Sequence, residues 1–240
     1  MDDSEFQEPS PPNAATVAQR SLILATISCR GFIDNDQANS AGASELAKKS
    51  KDWLFALGLD EELNDWERKV LSTEFGQLQE RDRINASWLA EGLVILAWAL
   101  GRAKLPAFDV QCDPSATANA LGFLQSESEN ILVKPSLRSP DELNEYNEFI
   151  YNVHWRTRDF SLNRRPYDFE SLARKAWGEP VLRFGLKLTE KDIEIAGQPL
   201  FKAPENVWRG LGSITQERHR ASNWLIRYAS EDFYEVTTDT

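Results

Sequence analysis

Charged residues set inside otherwise apolar helical stripes are the groups best able to do chemistry in this sequence. Glu91 lies between Trp88 and Ile95 at helical spacing. Arg20 stands just before Leu22, Ile23 and Leu24, and Arg218 shares a side with Ile214, Ala221 and Leu225. A buried charge without a partner costs several kcal/mol, so each of these must be paired. The expectation is that Glu91 is buried and pairs with Arg20 or Arg218, fixing how two helices cross. A carboxylate held among apolar residues can instead line a cleft as a general acid, a general base or a ligand contact. With Glu217, these residues form one candidate charge cluster: Arg20, Glu91, Glu217 and Arg218. Trp88, Trp98 and Trp224 are the candidate aromatic lining.

Other chemistries find little footing. Two histidines and two cysteines, Cys29 and Cys112, are scattered along the chain, and zinc needs four converging ligands. Asp34-Asn35-Asp36 comes closest to a calcium loop, but no glutamate stands where such a loop closes. Neither a metal nor a cofactor is expected. There is no Gly-x-Ser-x-Gly turn and no phosphate loop. Trp208-Arg209-Gly210-Leu211-Gly212-Ser213 places two glycines before an expected helix start, where free backbone N–H groups can hold an anion. The plainer reading is a loop that uses positive φ and ends in a cap. His154 and His219 fall on expected helices and are read as surface or capping residues, although either can titrate near neutral pH.

The elements that must position these residues are mostly helices. Apolar spacing of three and four predicts helices over 14–30, 43–57, 60–71 and 78–100. The last of these is apolar nearly all round in its C-terminal half, as a central buried helix would be. Asp113-Pro114 opens a short helix to about Leu124, and Ser139-Pro140-Asp141-Glu142 is a capping box that opens another to about Arg158. A short helix is expected over 167–177. The period then changes to two, through Leu182, Phe184, Leu186 and Leu188 and again through Ile193 and Ile195. This predicts a β-hairpin near 181–196. A final helix is expected from Ser213, with Gln216 completing a capping box, to about Tyr228. The fold class is therefore mainly α, one helical domain over 14–240 with a single hairpin. Residues 1–13 carry four acids, three prolines and no base, and are expected to be a flexible acidic tail.

Composition narrows the partners. The 240 residues include 27 Lys+Arg against 38 Asp+Glu, a formal charge of −11. That balance argues against direct contact with nucleic acid or an anionic membrane surface. The N-terminus reads as no signal peptide, and the longest apolar run, Leu93–Leu100, falls far short of the ~20 residues of a membrane span. Two cysteines suit a reducing cytoplasm. Eight tryptophans are core residues by default, or an interface where they cluster at the surface.

These landmarks together resemble a bacterial family known as a domain of unknown function, number 4272. The carriers are Trp88-x-x-Glu91 followed by Trp98-Ala99-Leu100-Gly101, Glu217-Arg218 followed by Asn223-Trp224-Leu225, and the terminal Val236-x-x-Asp239-Thr240, so the likeness runs from about Arg20 to Thr240. In that pattern a Trp-Asp pair usually precedes the terminal valine, and Phe233-Tyr234 stands here instead. The resemblance implies that Glu91, Glu217 and Arg218 are family landmarks, and brings no reaction or cofactor. The charge and the missing catalytic motifs favour a non-enzymatic interaction module that binds a basic protein partner through acidic surface. An immunity protein that neutralises a toxin would suit this charge. The alternative is an enzyme with a carboxylate and arginine cleft centred on Glu91.

Overall fold

The structure, a computed structural model, describes residues 10–34, 40–176 and 183–240. Helix α1 (Ala14–Ile33) begins where Asn13 Oδ1 accepts from Thr16 N. It is followed by α2 (Ser40–Ala56), α3 (Asp65–Ser72) and α4 (Glu80–Ala99). Two shorter helices, α5 (Pro114–Ala120) and α6 (Glu127–Val133), lead to the long α7 (Pro140–Leu162). Then come α8 (Phe169–Ala176), three short strands and α9 (Glu205–Leu225). The long helices form a layer in the order α1, α4, α9, α7, with α4 covered by α1 on one side and α9 on the other. This explains the all-round apolar character of α4, whose residues Leu89–Ala99 are all buried.

The α1–α4 contact is close enough to require a glycine. A Cβ at Gly31 would stand 2.6 Å from Ser87 N and 2.8 Å from Ala86 Cβ. Both obstacles sit on α4 and one is backbone, so the helices would have to part. Gly31→Ala should therefore lower stability by about 1–3 kcal/mol in urea unfolding. An unchanged midpoint would contradict this contact.

The mainly helical expectation holds, with four local differences. First, strand is shorter at one end and longer at the other. Val181 and Leu182 lie outside the described residues, as does Trp177. Arg183–Gly185 form a 3₁₀ turn in which Phe184 has φ +60°. Its ring packs against Tyr146, Phe149 and Trp98, so that apolar position serves an aromatic cluster rather than a ladder. Strands β1 (Leu188–Thr189), β2 (Asp192–Ile195) and β3 (Gln198–Pro199) pair antiparallel in the order β1-β2-β3. Leu188 faces Ile193, and Ile195 faces Gln198. Glu190-Lys191 and Ala196-Gly197 turn the chain with positive φ at both residues, as two-residue hairpin loops require. Buried Asp192 ties this small sheet to α7, accepting from Arg156 Nε at 2.8 Å and Nη2 at 2.7 Å.

Second, α9 starts at Glu205, not at Ser213. Gly210 and Gly212 are helical, so the glycine loop and its anion-holding helix start do not exist. Trp208 and Leu211 are buried with Ile214 and Arg218, and their packing outweighs about 1 kcal/mol of helix propensity per glycine. Third, α3 opens at a capping box made by Asn64 and Glu67 rather than at Asp60, and α6 is an unexpected helix. Fourth, residues 10–13 of the expected tail make contacts with the fold. Pro12 is buried, and Arg227 Nε donates to Ser10 O at 2.7 Å. The rest of the expected tail, residues 1–9, lies outside the described residues.

Candidate functional site

Glu91 is 3% exposed and Arg218 1%. Arg218 Nε donates to Glu91 Oε2 at 2.9 Å, and its two other nitrogens donate to Ala107 O and Val110 O. Cys112 N donates to Glu91 Oε1 at 2.9 Å. Both carboxylate oxygens are thus engaged, and the pair ties α4, α9 and the 100–113 loop together. Glu91 also lines a small cleft of ≈ 310 Å³ with Phe32, Trp88 and Cys112. Its two oxygens are committed to Arg218 and to the Cys112 amide.

Arg20 does not join that pair. Its Nη1 donates to Glu67 Oε1 at 2.7 Å. Glu67 is fully buried and was not singled out from the sequence, although Asn64-x-x-Glu67 is a capping-box signal. One carboxylate does three jobs here: Oε2 accepts from Asn64 N, while Oε1 accepts from Arg20 and from Tyr234 Oη at 2.8 Å. Burial and the neighbouring carboxylate push the Tyr234 phenol well above its ordinary range. The terminal segment is therefore anchored to α3 and α1 from beneath.

Two clefts flank this anchor, one on each side of Phe233-Tyr234. The first, ≈ 490 Å³, opens between α4 and α9 and is lined by Asn64, Trp66, Asn85, Trp88, Leu89, Ser213, Gln216, Glu217, Arg220 and Tyr234. Residues 213, 216, 217 and 220 share one helical face, as do 85, 88 and 89. Arg220 Nη1 donates to both oxygens of Glu217, at 2.9 and 2.7 Å. Burial raises the Glu217 carboxyl, and Arg220 partly opposes it. The charges beneath this cleft are also paired: Glu67 with Arg20, Asp82 with Lys69 and Glu91 with Arg218.

The second cleft, ≈ 500 Å³, lies between α1, the 62–64 turn and the terminal segment. Ile23, Leu63, Trp224 and Phe233 give it an apolar floor, and its charged lining is Glu62, Glu231 and Asp232 together with Arg20 and Arg227. Glu61, Asp65 and Glu235 are exposed nearby in sequence. Among the described residues none of these six acids forms a salt bridge. Arg227, also on this cleft, directs Nε and Nη1 to the backbone oxygens of Ser10 and Glu231.

The expected aromatic lining divides. Trp88 borders the first cleft and Trp224 the second. Trp98 borders neither; it packs against Tyr146 and lies under Arg138 at the far end of α4. His154 and His219 are buried rather than exposed or capping, with their Nδ1 atoms 3.0 Å apart. Burial lowers the first to about 4, helped by Arg158, and the second to about 3, helped by His154. Both cysteines are free thiols; burial raises Cys29 to about 11 and Cys112 to about 12. Asp34 pairs with Arg30 and accepts from Gly76 N and Leu78 N, while Asn35 and Asp36 lie outside the described residues. Among the described residues no three metal-binding side chains converge, and no helix is long and apolar enough to cross a membrane.

The chain belongs to the family described as Domain of unknown function (DUF4272), which matches residues 4–175. The matched span contains Trp88, Glu91 and Trp98–Gly101. It ends before Glu217-Arg218 and the terminal Val236–Thr240 segment, short of the expected extent. No curated protein and no solved structure matches the chain significantly.

Proposed function

We propose that this chain is a non-catalytic binding protein that takes a basic protein partner at the cleft bounded by Glu62, Glu231 and Asp232. The observation behind it is the contrast between the two clefts. Carboxylates under the α4–α9 cleft are paired, whereas those around the second cleft form no salt bridge among the described residues, its two arginines being engaged by Glu67 and by the backbone oxygens of Ser10, Glu62 and Glu231. An apolar floor with an acidic rim suits a lysine or arginine side chain, which has an apolar stem and a charged head. A toxin that acts on nucleic acid is a partner of this chemistry, because it must carry a basic face for phosphate. A reducing cytoplasm suits the two free thiols.

Electrostatic complementarity acts mainly on encounter. An oligolysine peptide should therefore associate more slowly as salt rises from about 0.05 to 0.5 M, where screening shortens from above 10 Å to a few ångströms. The double variant Glu231→Lys, Asp232→Lys should slow association about tenfold. The same reversal at Glu127 and Glu129, on α6, should change it little. Equal losses from both pairs would reduce the effect to net charge and remove the cleft from the account.

A further inference from the structure

The α4–α9 cleft differs in kind from the acidic one. Among the described residues its one ion pair, Glu217 with Arg220, leaves the lining without net charge, although Arg220 Nε is buried with no hydrogen-bond partner, and each charge beneath the cleft has its own partner. A charged ligand would find no net counter-charge there, while a neutral one can still use the spare Arg220 donor. Three aromatic rings shape the walls. The polar ends of two are already engaged, Trp66 Nε1 with Asp82 at 3.0 Å and Tyr234 Oη with Glu67. What these two side chains can offer a ligand is ring surface. The side chains of Asn85, Ser213 and Gln216 make no hydrogen bond among the described residues, and the amide nitrogen of Asn64 is also unused once its oxygen caps α3. Each free primary amide presents a donor and an acceptor side by side, and a hydroxyl does both.

We infer that this cleft binds a neutral polyhydroxylated ring, a pyranose or short pyranoside. A sugar ring has an apolar C–H face, which suits an aromatic wall, and a rim of hydroxyls that both donate and accept. The free polar groups lie on both α4 and α9 and on the turn before α3, so they surround a ligand rather than meet one edge of it. A nucleobase holds its donors and acceptors in the ring plane and mostly as one or the other, whereas each pyranose hydroxyl both donates and accepts, as these amides and this hydroxyl require. The volume, ≈ 490 Å³, falls within the range of small-ligand sites. Half-buried Trp88 is the ring that a ligand reaches from either the α4–α9 cleft or the smaller one beside it.

The test is titration of the full chain with glucose, galactose, N-acetylglucosamine and maltose, read by tryptophan fluorescence and by saturation-transfer NMR. Adenosine, inorganic phosphate and oligolysine are the contrasting probes. At least one pyranose should saturate below about 10 mM. Adenosine and phosphate should not compete with it. Trp88→Ala should weaken binding about tenfold or more, and Trp88→Phe should retain most of it. Gln216→Ala, at an exposed position, gives a second loss without touching the core. Glu231→Lys with Asp232→Lys should leave pyranose binding intact, so failure here and failure of the basic-partner reading are separable. The inference is overturned if no pyranose saturates, if adenosine or phosphate binds in its place, or if binding survives both Trp88→Ala and Gln216→Ala.

Discussion

Glu91→Ala should lower the stability of this protein by about 3–5 kcal/mol, because it leaves the Arg218 guanidinium buried without its counter-charge. Arg218 keeps two carbonyl acceptors, Ala107 and Val110, but these do not neutralise it. Cys112 N loses its acceptor as well. At about 2–4 °C per kcal/mol for a chain of this size, the thermal midpoint should fall by roughly 10 °C. The double variant Glu91→Leu, Arg218→Met should recover a large part of that loss, since replacing both members of a buried pair costs less than stranding one. Recovery should be incomplete because Cys112 N, Ala107 O and Val110 O then lack their partners. Urea unfolding of the wild type, Glu91→Leu, Arg218→Met and the double variant gives the coupling directly. A single-variant loss below 1 kcal/mol would sink the claim that this pair holds α4 and α9 together.

The second large effect is acid sensitivity from the paired histidines. Burial lowers His154 to about 4 and His219 to about 3, against about 6.5 for an unfolded histidine. The unfolded chain therefore takes up these protons first as pH falls. The stabilisation is complete above about pH 6.5 and is lost progressively as pH drops toward 4 and then 3. At pH 5 each imidazole should account for about 2 kcal/mol, so the pair should remove about 4 kcal/mol between pH 7 and pH 5. Charged Arg158 disfavours protonation of His154, whereas Asn223 favours that of His219; the Tyr151 ring packs on His219. Glu217 works in the opposite sense. Its raised carboxyl takes up a proton in the folded state first, which offsets part of the loss. In the variant His154→Gln, His219→Gln most of the drop between pH 7 and pH 5 should disappear. An equal drop in that variant would assign the acid sensitivity to other groups.

Much of the helical frame was legible because its signals are local. Ser139, Pro140 and Glu142 form the expected capping box, and Asp113 caps α5 with Pro114 behind it. The Glu91–Arg218 pair was also legible, since a charge inside an apolar stripe must find a partner. Which arginine it found was not, because α1 with Arg20 and α9 with Arg218 both lie beside α4, and only the flank that Glu91 faces decides between them. Gly210 and Gly212 misled because glycine marks a loop by propensity, while tertiary packing of Trp208 and Leu211 decides the outcome. The histidines misled for a related reason: each is polar alone, and burial becomes tolerable only when the two Nδ1 atoms meet. The clefts depend on Phe233-Tyr234 folding back over α3. That return bridges 167 residues between Glu67 and Tyr234, and nothing local in the sequence encodes it.

The position of α4 in the layer has a consequence for biosynthesis. Its two flanks are covered by helices made at very different times. Helix α1 is already present when α4 leaves the ribosome, but about 100 residues separate Ala99 from Glu205, where α9 begins. At about 5–20 residues per second, the flank that will receive α9 stays uncovered for roughly 5–20 s. Gly92, which in the finished fold approaches Ala221 and Phe233, marks that open side. Glu91 stands next to it at the head of the apolar run Leu93–Leu100. During that interval its carboxylate meets water instead of Arg218, and a charge in such a run acts as a gatekeeper against association of half-made chains. In the finished fold the same side chain locks α4 to α9 through Arg218.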